Sequence, residues 1–144
     1  MSPPQEHESF QSIISSGGAI CISHQDNQQY RLYSYCDDKL DHFTLLRKLY
    51  NLLEDDGLLI ISIQGEHKDY SKAISEDITY SQEINHSGNY MTKWYTFSNE
   101  EKILARQSVK LVVFDEIEMI NSFTEVGFKS LGVDKSNRFY VFQK

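Results

Sequence analysis

The chain has 144 residues, 40% of them hydrophobic, a composition that fits one soluble domain with a buried core. Its 21 acidic and 14 basic residues give a formal net charge of -7, and the sequence contains no stripe of lysine and arginine. Nucleic acid is therefore excluded as an expected partner, because binding its phosphate backbone requires such a stripe.

Neither a membrane segment nor an export signal is found in the sequence. No apolar run approaches the roughly 20 residues that cross a bilayer, and the N-terminal residues MSPPQEHES lack a basic region followed by an apolar block. Cys21 and Cys36 are too few for a disulfide framework and fit a reducing compartment. We expect a cytoplasmic protein that does not bind membranes.

The first part of the chain is predicted to contain an arm, a buried strand and a loop. Residues 1–18 form the arm, in which a phenylalanine and two isoleucines could anchor a short helix before a Ser-Gly turn. Residues 19–23, AICIS, are a short apolar run bounded by turn residues and predict a strand buried on both faces. Residues 24–38 are polar and predict a loop.

A leucine-rich helix and a second buried strand are predicted next. Asp37 or Asp38 is available to cap the helix, and Gly57 is placed to end it in a left-handed conformation. Residues 58–63 lack polar alternation and predict an interior parallel strand. The apolar positions at helical spacing are Leu40, Phe43, Leu45, Leu46, Leu49, Leu52 and Leu53.

The second half of the chain begins with a predicted antiparallel hairpin. Its strands are an alternating segment around residues 78–84 and the aromatic segment 90–98, joined by the turn signal HSGN, and residues 110–114 could extend the sheet.

A second helix and two final strands complete the predicted elements. The helix begins with a capping box of Asp115 and Glu118 and ends at Gly127. Residues 128–133 and 138–143 then form two strands joined by a polar turn. The helix buries a stripe made of Ile117, Ile120, Phe123 and Val126.

Three segments resemble the C-terminal half of a class I S-adenosylmethionine-dependent methyltransferase. Residues 45–63, LLRKLYNLLEDDGLLIISI, are similar to the leucine-rich helix, LKPGG turn and apolar strand of that family, although only the last glycine of the turn is kept. FDEI at 114–117, followed by VGF at 126–128, is similar to the last helix of the family, and RFYVFQK at 138–144 to its last strand. The resemblance covers residues 19–144.

The resemblance implies an α/β fold with a partial Rossmann-like sheet. Parallel strands would be joined by a right-handed crossover. The sheet would also contain a closing antiparallel hairpin and, at about residues 77–114, an antiparallel aromatic insertion. Residues 1–18 would be an N-terminal arm and residues 19–144 a methyltransferase-like half domain.

The cofactor-binding half of the family is missing from this pattern. That half carries a glycine-rich turn after the first strand and an acidic residue that binds the ribose. Here the glycine pair Gly17-Gly18 precedes a strand, and the arm is too short for three further strands. The resemblance implies a fragment or subunit of an S-adenosylmethionine-dependent small-molecule methyltransferase that does not turn over unaided. The alternative is a non-catalytic scaffold or dimerisation module derived from such an enzyme.

The absence of the cofactor-binding half also affects which partner chains we expect. In the complete family sheet the strand that matches residues 19–23 is central. Without its neighbour, its N–H and C=O groups would form an open edge that can pair with another chain. We therefore expect a homo-oligomer or a partner subunit bound through this edge, unless the N-terminal arm folds over it.

Candidate site residues follow from the same resemblance, which places the ligand crevice beyond the carboxyl ends of the parallel strands. His24 and His67 lie in the loops after two such ends and could act as general base on an acceptor hydroxyl or amine. The candidate cofactor-binding residues are Ser23, Gln25 and Asp26. Solvation of a loop explains either histidine without a function.

The candidate substrate-binding residues are Gln64, Tyr80, Trp94 and Tyr95. Gln64 follows the second strand end, and the three aromatic residues belong to the insertion, which could wall an acceptor pocket. Packing on the sheet or a dimer contact explains the same aromatic residues.

Zinc is a weaker alternative. The residue types that could bind it are present, but their spacing does not form paired knuckles and the first cysteine is expected to point into the core. We therefore expect no metal. The four residues are Cys21, His24, Cys36 and His42.

Overall fold

The structure is a computed structural model that describes residues 8–26 and 29–144. Within these ranges the chain forms ten strands and two helices: β1 Phe10–Ser15, β2 Ile20–His24, β3 Tyr30–Ser34, α1 Lys39–Leu52, β4 Leu53–Gln64, β5 Tyr70–Ala73, β6 Thr79–Ser87, β7 Tyr90–Ser98, β8 Ile103–Asp115, α2 Glu116–Val126, β9 Lys129–Val133 and β10 Phe139–Gln143. Neither of these two helices is long and apolar enough to cross a membrane.

The strands form one mixed sheet in the order β5-β6-β7-β8-β3-β2-β4-β10-β9, with β1 beside β4. Strand β2 runs parallel to β4, with Ile22 opposite Ile63. Strands β9 and β10 form the closing antiparallel hairpin, and β5 to β8 form the antiparallel insertion. The predicted α/β fold with a partial Rossmann-like sheet is confirmed, whereas the division into an arm and a half domain stays a prediction.

The N-terminal segment, predicted as an arm in which three apolar residues could anchor a short helix, contains a strand instead. Strand β1 runs parallel to β4, with Ile13 opposite Leu59, and Ile13 packs against the main core. A helix would need more apolar residues than this segment offers, whereas the long strand β4 supplies an edge that satisfies the backbone of β1.

Residues 24–38 are predicted as a loop, but Tyr30–Ser34 in the middle of this segment form strand β3. Strand β3 pairs antiparallel with β2, from Ile20 opposite Ser34 to His24 opposite Tyr30, and its other edge pairs with β8. The edge of β2 that we expected to be open is thus closed within the chain. Self-association stays a prediction, but it has lost this structural basis.

We predicted that helix α1 ends at Gly57, and this prediction is wrong. The helix ends at Leu52, its C-cap Leu53 is already extended with φ -86°, and Gly57 is a buried residue of β4. The positive φ of 62° belongs to Asp56, where the register of β1 against β4 is irregular. Aspartate tolerates this conformation better than most residues.

The helix starts were predicted more closely. Asp38 accepts a hydrogen bond from the backbone of Asp41, and Asp115 accepts one from Glu118, both at 2.8 Å. The carboxylate of Glu118 does not complete the predicted capping box. It forms an ion pair with Lys39 at 2.9 Å, which links the two helices.

We expect Gly57→Ala to lower the free energy of unfolding by about 1–3 kcal/mol, because the backbone around the new methyl group cannot move aside. An added Cβ would lie 2.8 Å from the carbonyl oxygen of Glu54 and 3.2 Å from that of Gln11. Urea unfolding measures the change. The matched control is Gly65→Ala, whose Cβ would meet no atom within 4 Å; equal losses in both variants would contradict the prediction.

The main core lies between the sheet and the two helices, which pack on the same face. It contains Leu46 of α1, Phe123 of α2, and Leu59 and Phe142 of the sheet, all fully buried. On α2, the exposed position Ile117 (73% exposed) does not belong to the buried stripe in which we had placed it. A smaller cluster lies on the opposite face and contains Cys21, Tyr33, Met91 and Leu111.

Candidate functional site

An open cleft of about 700 Å³ lies at the carboxyl ends of β2 and β4, beside the turn between β9 and β10. Its lining residues are His24, Tyr30, Ile63, Gln64, Gly65 and Asn137. This is the position at which open α/β sheets bind ligands, and the volume falls within the range of small-molecule sites.

The two sides of the cleft are formed by neighbouring strand ends. His24 is the last residue of β2 and lies opposite Tyr30, the first residue of β3, with their ring centroids 5.1 Å apart. Tyr30 in turn packs edge-on against Tyr140 at 5.7 Å. Gln64 ends β4 and is the register partner of Ser23. The sheet therefore places an imidazole, a phenol and a carboxamide around one opening.

The fourth polar side chain of the cleft comes from the turn between β9 and β10. Asn137 has a positive φ of 59°, and the turn is held by Asp134, which accepts hydrogen bonds from Ser136 and from the backbone of Arg138 and Phe139. The bond from the Ser136 hydroxyl is the main reason that the pKa of Asp134 is lowered. The cleft thus has one wall set by a fixed turn.

The cleft offers hydrogen bonds and carries no fixed charge. None of its six lining residues is Asp, Glu, Lys or Arg. Imidazole, phenol, carboxamide and backbone groups can donate to or accept from hydroxyls and amines. This arrangement suits a neutral polar ligand better than a phosphate or a carboxylate.

The candidate cofactor-binding residues do not line the cleft. Ser23 is fully buried, where its hydroxyl donates to the Gly65 carbonyl at 3.3 Å and accepts from Gln25 Nε2 at 3.0 Å. Gln25 is also buried, and its side chain acts to lower the pKa of Tyr33, which burial raises. Asp26 is exposed, with its carboxylate 3.9 Å from Lys68 Nζ. Ser23 and Gln25 therefore support the floor of the site, and their role in binding a cofactor stays a prediction.

The two candidate bases lie in different surroundings, since His24 lines the cleft and His67 does not. The His67 ring packs edge-on against Tyr33 at 4.6 Å, and its Nδ1 lies 3.2 Å from Lys93 Nζ. Burial, together with the nearby Lys93 and His86, lowers the pKa of His67 to about 4. At neutral pH this ring is uncharged and its Nδ1 accepts a hydrogen bond from the Lys93 ammonium, which leaves it a weak base.

The aromatic candidates of the insertion do not form one wall. Tyr80 and Tyr95 stack on one face of the insertion with centroids 6.3 Å apart, and Phe97 joins them. Trp94 is adjacent to Tyr95 in a strand and therefore points to the other face, where Arg106 lies 4.3 Å from its ring. None of these three candidates is among the residues that line the cleft.

The four residues weighed as zinc ligands do not lie together in the described part of the chain. Cys21 belongs to the smaller cluster, and burial raises the pKa of its thiol to about 11. His42 belongs to α1 and points into the core, with Nδ1 3.0 Å from the Ser34 hydroxyl. Within residues 8–26 and 29–144 no three histidine, cysteine or acidic side chains are grouped as a metal site.

Of the polar side chains that line the cleft, His24 and Gln64 are among the sequence candidates, whereas Tyr30 and Asn137 are not. Tyr30 was assigned to a loop, and its place beside His24 follows from the pairing of β2 with β3. Asn137 was assigned to a turn, which is correct, but its approach to the cleft depends on the hairpin docking against β4. Neither position has a local signal in the sequence.

No family model and no curated protein matches the sequence, whereas solved structures do match the fold. The S-adenosylmethionine-dependent methyltransferase from Clostridium acetobutylicum aligns with a TM-score of 0.63 and 13% identity, over 98% of this chain and 61% of that chain. The sugar N-methyltransferase from Streptoalloteichus aligns with a TM-score of 0.61 and 11% identity, over 97% of this chain and 58% of that chain.

A third neighbour is the S-adenosylmethionine-bound amino pentose methyltransferase of calicheamicin biosynthesis from Micromonospora echinaspora. It aligns with a TM-score of 0.60 and 12% identity, over 94% of this chain and 58% of that chain. The chain thus spans less than two thirds of the length of the solved structures that it matches. At these identities the likeness shows the fold, and the chain has an α/β fold similar to that of S-adenosylmethionine-dependent methyltransferases.

Proposed function

We propose that this chain is a fragment or subunit of an S-adenosylmethionine-dependent small-molecule methyltransferase. The observation that carries the proposal is the cleft at the carboxyl ends of β2 and β4, in a fold similar to such enzymes. On this proposal the chain corresponds to the C-terminal half and transfers a methyl group only when the cofactor-binding half is supplied.

The cleft fits the acceptor better than the whole cofactor. Its uncharged donors and acceptors match the hydroxyls and amine of a small polyhydroxylated molecule. Two neighbours are described as an amino pentose methyltransferase and a sugar N-methyltransferase, which favours an amine on a sugar-like acceptor. None of the six described residues that line the cleft is acidic and able to bind a ribose, and the glycine pair Gly17-Gly18, which follows the unpredicted strand β1, is not among them. The fit to S-adenosylmethionine is therefore partial.

The role that we propose for His24 is to take a proton from the acceptor. The side chain is exposed at the mouth of the cleft, and the ring of Tyr30, tilted by 45° against it, contacts one side of the imidazole. Gln64 and Asn137 would orient the acceptor by hydrogen bonds to its hydroxyls. S-Adenosylmethionine supplies the methyl group when it is bound.

Calorimetric titration of the chain with S-adenosylmethionine tests this proposal. We expect micromolar binding without methyl transfer, because the cleft supplies part of the contacts that the cofactor needs. In the same assay an amino sugar should also bind, and Gln64→Ala should weaken that binding about tenfold, which corresponds to the loss of one hydrogen bond of about 1.4 kcal/mol. Gln107→Ala, an exposed glutamine of the insertion, is the matched control and should bind as the unaltered chain does.

The second candidate function is a non-catalytic scaffold that retains the fold for association. The pairing of β3 with β2 favours it, because the sheet is extended there by the chain itself and needs no cofactor-binding strand to satisfy the edge. A titration that shows no heat at millimolar S-adenosylmethionine would contradict the first proposal and support this one.

A further inference from the structure

A second cavity, of about 380 Å³, lies where β3 begins, β8 ends and the hairpin β6–β7 turns. None of its described lining residues lines the cleft at the ends of β2 and β4. Its volume falls within the range of small-molecule sites, and unlike the cleft it carries fixed charges of both signs. We call it the charged pocket. Its lining includes Arg31, His86, Asn89, Val113, Asp115 and Glu118.

The walls of the charged pocket are held by backbone hydrogen bonds. The turn between β6 and β7 passes through Gly88, with φ 58°, and is tied to β8 because the Val113 N–H donates to the Asn89 carbonyl at 2.8 Å. The opposite wall is the first turn of α2, where Asp115 accepts a hydrogen bond from the backbone of Glu118. The pocket is therefore built from elements that this chain itself pairs.

Opposite charges lie on both sides of the charged pocket without forming an ion pair. Arg31 of β3 and Asp115 of β8 are register partners in an antiparallel ladder, in which partner Cα atoms lie about 5 Å apart. Within residues 8–26 and 29–144, however, no carboxylate lies within 4.0 Å of the Arg31 guanidinium. Asp115 is committed to capping α2. The guanidinium is thus left at the pocket with a charge that no described carboxylate pairs.

The acidic side of the charged pocket is only partly satisfied. Asp115 uses Oδ1 for the helix cap, and Glu118 uses Oε2 for its ion pair with Lys39 at 2.9 Å. The other oxygen of each carboxylate accepts no hydrogen bond from the described residues. The four charges of Arg31, Lys39, Asp115 and Glu118 cancel, so a ligand with no net charge is favoured, provided that it presents both signs.

This charge pattern selects the chemistry of the ligand. A simple anion would be repelled by the two carboxylates, and a simple cation by the guanidinium. Because the charged side chains come from neighbouring positions, the complementary charges of the ligand must also be close together, and an α-amino acid carries both on one carbon. His86 and Asn89 can add hydrogen bonds, and the half-buried Val113 offers an apolar contact to an aliphatic side chain.

We propose that the charged pocket binds a zwitterionic aliphatic α-amino acid, with the ligand carboxylate on Arg31 and the ligand ammonium on the free carboxylate oxygens of Asp115 and Glu118. The proposal goes beyond the proposed function, because it needs neither a methyl donor nor the cleft. Failure of the titration with S-adenosylmethionine therefore leaves it standing, and the reverse also holds.

Calorimetric titration with L-leucine and two single-charge analogues tests the ligand class. L-Leucinamide lacks the carboxylate, and N-acetyl-L-leucine lacks the ammonium. We expect L-leucine to bind at millimolar concentration and each analogue to bind at least about tenfold more weakly, because each loses one set of charge-assisted hydrogen bonds. Arg31→Gln should weaken L-leucine binding by a similar factor. Arg106→Gln is the matched control, since this arginine stacks on Trp94 outside the pocket, and should bind L-leucine as the unaltered chain does.

Two-dimensional NMR of the ¹⁵N-labelled chain tests the position of the ligand. L-Leucine should shift the amide signals of Gly88, Asn89 and Val113 and leave those of His24 and Gln64 in place. Four outcomes would overturn the proposal: no heat at tens of millimolar L-leucine, an analogue that binds as tightly as L-leucine, unchanged binding in Arg31→Gln, and shifts confined to the cleft. If circular dichroism shows that Arg31→Gln does not fold, the three ligands compared on the unaltered chain decide the question.

Discussion

Replacing Phe123 by alanine should lower the free energy of unfolding by about 3–5 kcal/mol, the range found for phenylalanine to alanine changes in protein cores. The side chain is fully buried, and its ring stacks on Phe142 with centroids 3.8 Å apart. It also meets Phe128 at 5.5 Å, so one ring joins α2 to β10 and to the start of the closing hairpin. Urea unfolding followed by circular dichroism measures the loss.

Ile117→Ala is the matched control for this change. It removes an aliphatic side chain from the same helix at a position that is 73% exposed, and exposed changes of this kind usually stay within about 0.5 kcal/mol. Because a whole domain is stable by only about 5–15 kcal/mol, the two variants should differ visibly in midpoint. A loss below about 1 kcal/mol for Phe123→Ala would mean that α2 does not pack on the sheet as described.

The elements that sequence reasoning located correctly are those with a strong local signal. The leucine spacing of α1, the capping aspartates Asp38 and Asp115, and the glycine turn of the hairpin β6–β7 each act within a few residues. Gly127 ends α2 with φ 120°, as its position after the apolar stripe predicted. These features are decided by neighbours along the chain, so the sequence alone was sufficient.

The elements that it missed depend on partners far away in the sequence. Strand β3 carries no strong periodic signal and exists because β2 and β8 pair with its two edges. Strand β1 likewise forms against β4, more than 40 residues later. The acidic residues before Gly57 predict a helix stop, but they form a distortion within β4 that the irregular register with β1 accommodates.

The candidate site shows the same contrast between features decided locally in the sequence and features decided by distant contacts. His24 and Gln64 could be predicted because both follow buried strands that proved to be parallel neighbours. His67 could not be excluded, because only the fold shows that the chain after β4 passes to the face that holds Tyr33 and Lys93. The pleat of β7, which separates Trp94 from Tyr95, was in principle readable from their adjacency in the sequence.

Acidification should destabilise the protein through His42. This histidine is fully buried, with Nδ1 3.0 Å from the Ser34 hydroxyl and its ring 4.5 Å from that of Phe114. Its Nε2 is buried without a hydrogen-bond partner among the described residues, and burial lowers the pKa to about 4. An unfolded chain binds this proton near pH 6.5, so between about pH 6.5 and 4 the unfolded state holds more protons than the folded state.

The stabilisation from a neutral His42 is therefore complete above pH 6.5 and is lost as the pH falls towards 4. A shift of about 2.5 units corresponds to about 3 kcal/mol. Urea unfolding at pH 7 and pH 4 should show this loss in the unaltered chain and in His24→Gln, which changes an exposed histidine, but not in His42→Gln. His67 and the carboxylates titrate in all three proteins, so the difference between them isolates His42.

If His42→Gln is too unstable to compare, proton NMR of the unaltered chain decides the same point. The His42 ring signal should stay at its neutral position until the pH approaches 4, whereas a midpoint near 6.5 would show that water reaches the ring and that α1 does not seal this part of the core. Because the ring contacts Ser34 of β3 and Phe114 of β8, that result would also mean that α1 does not pack against these two strands as described.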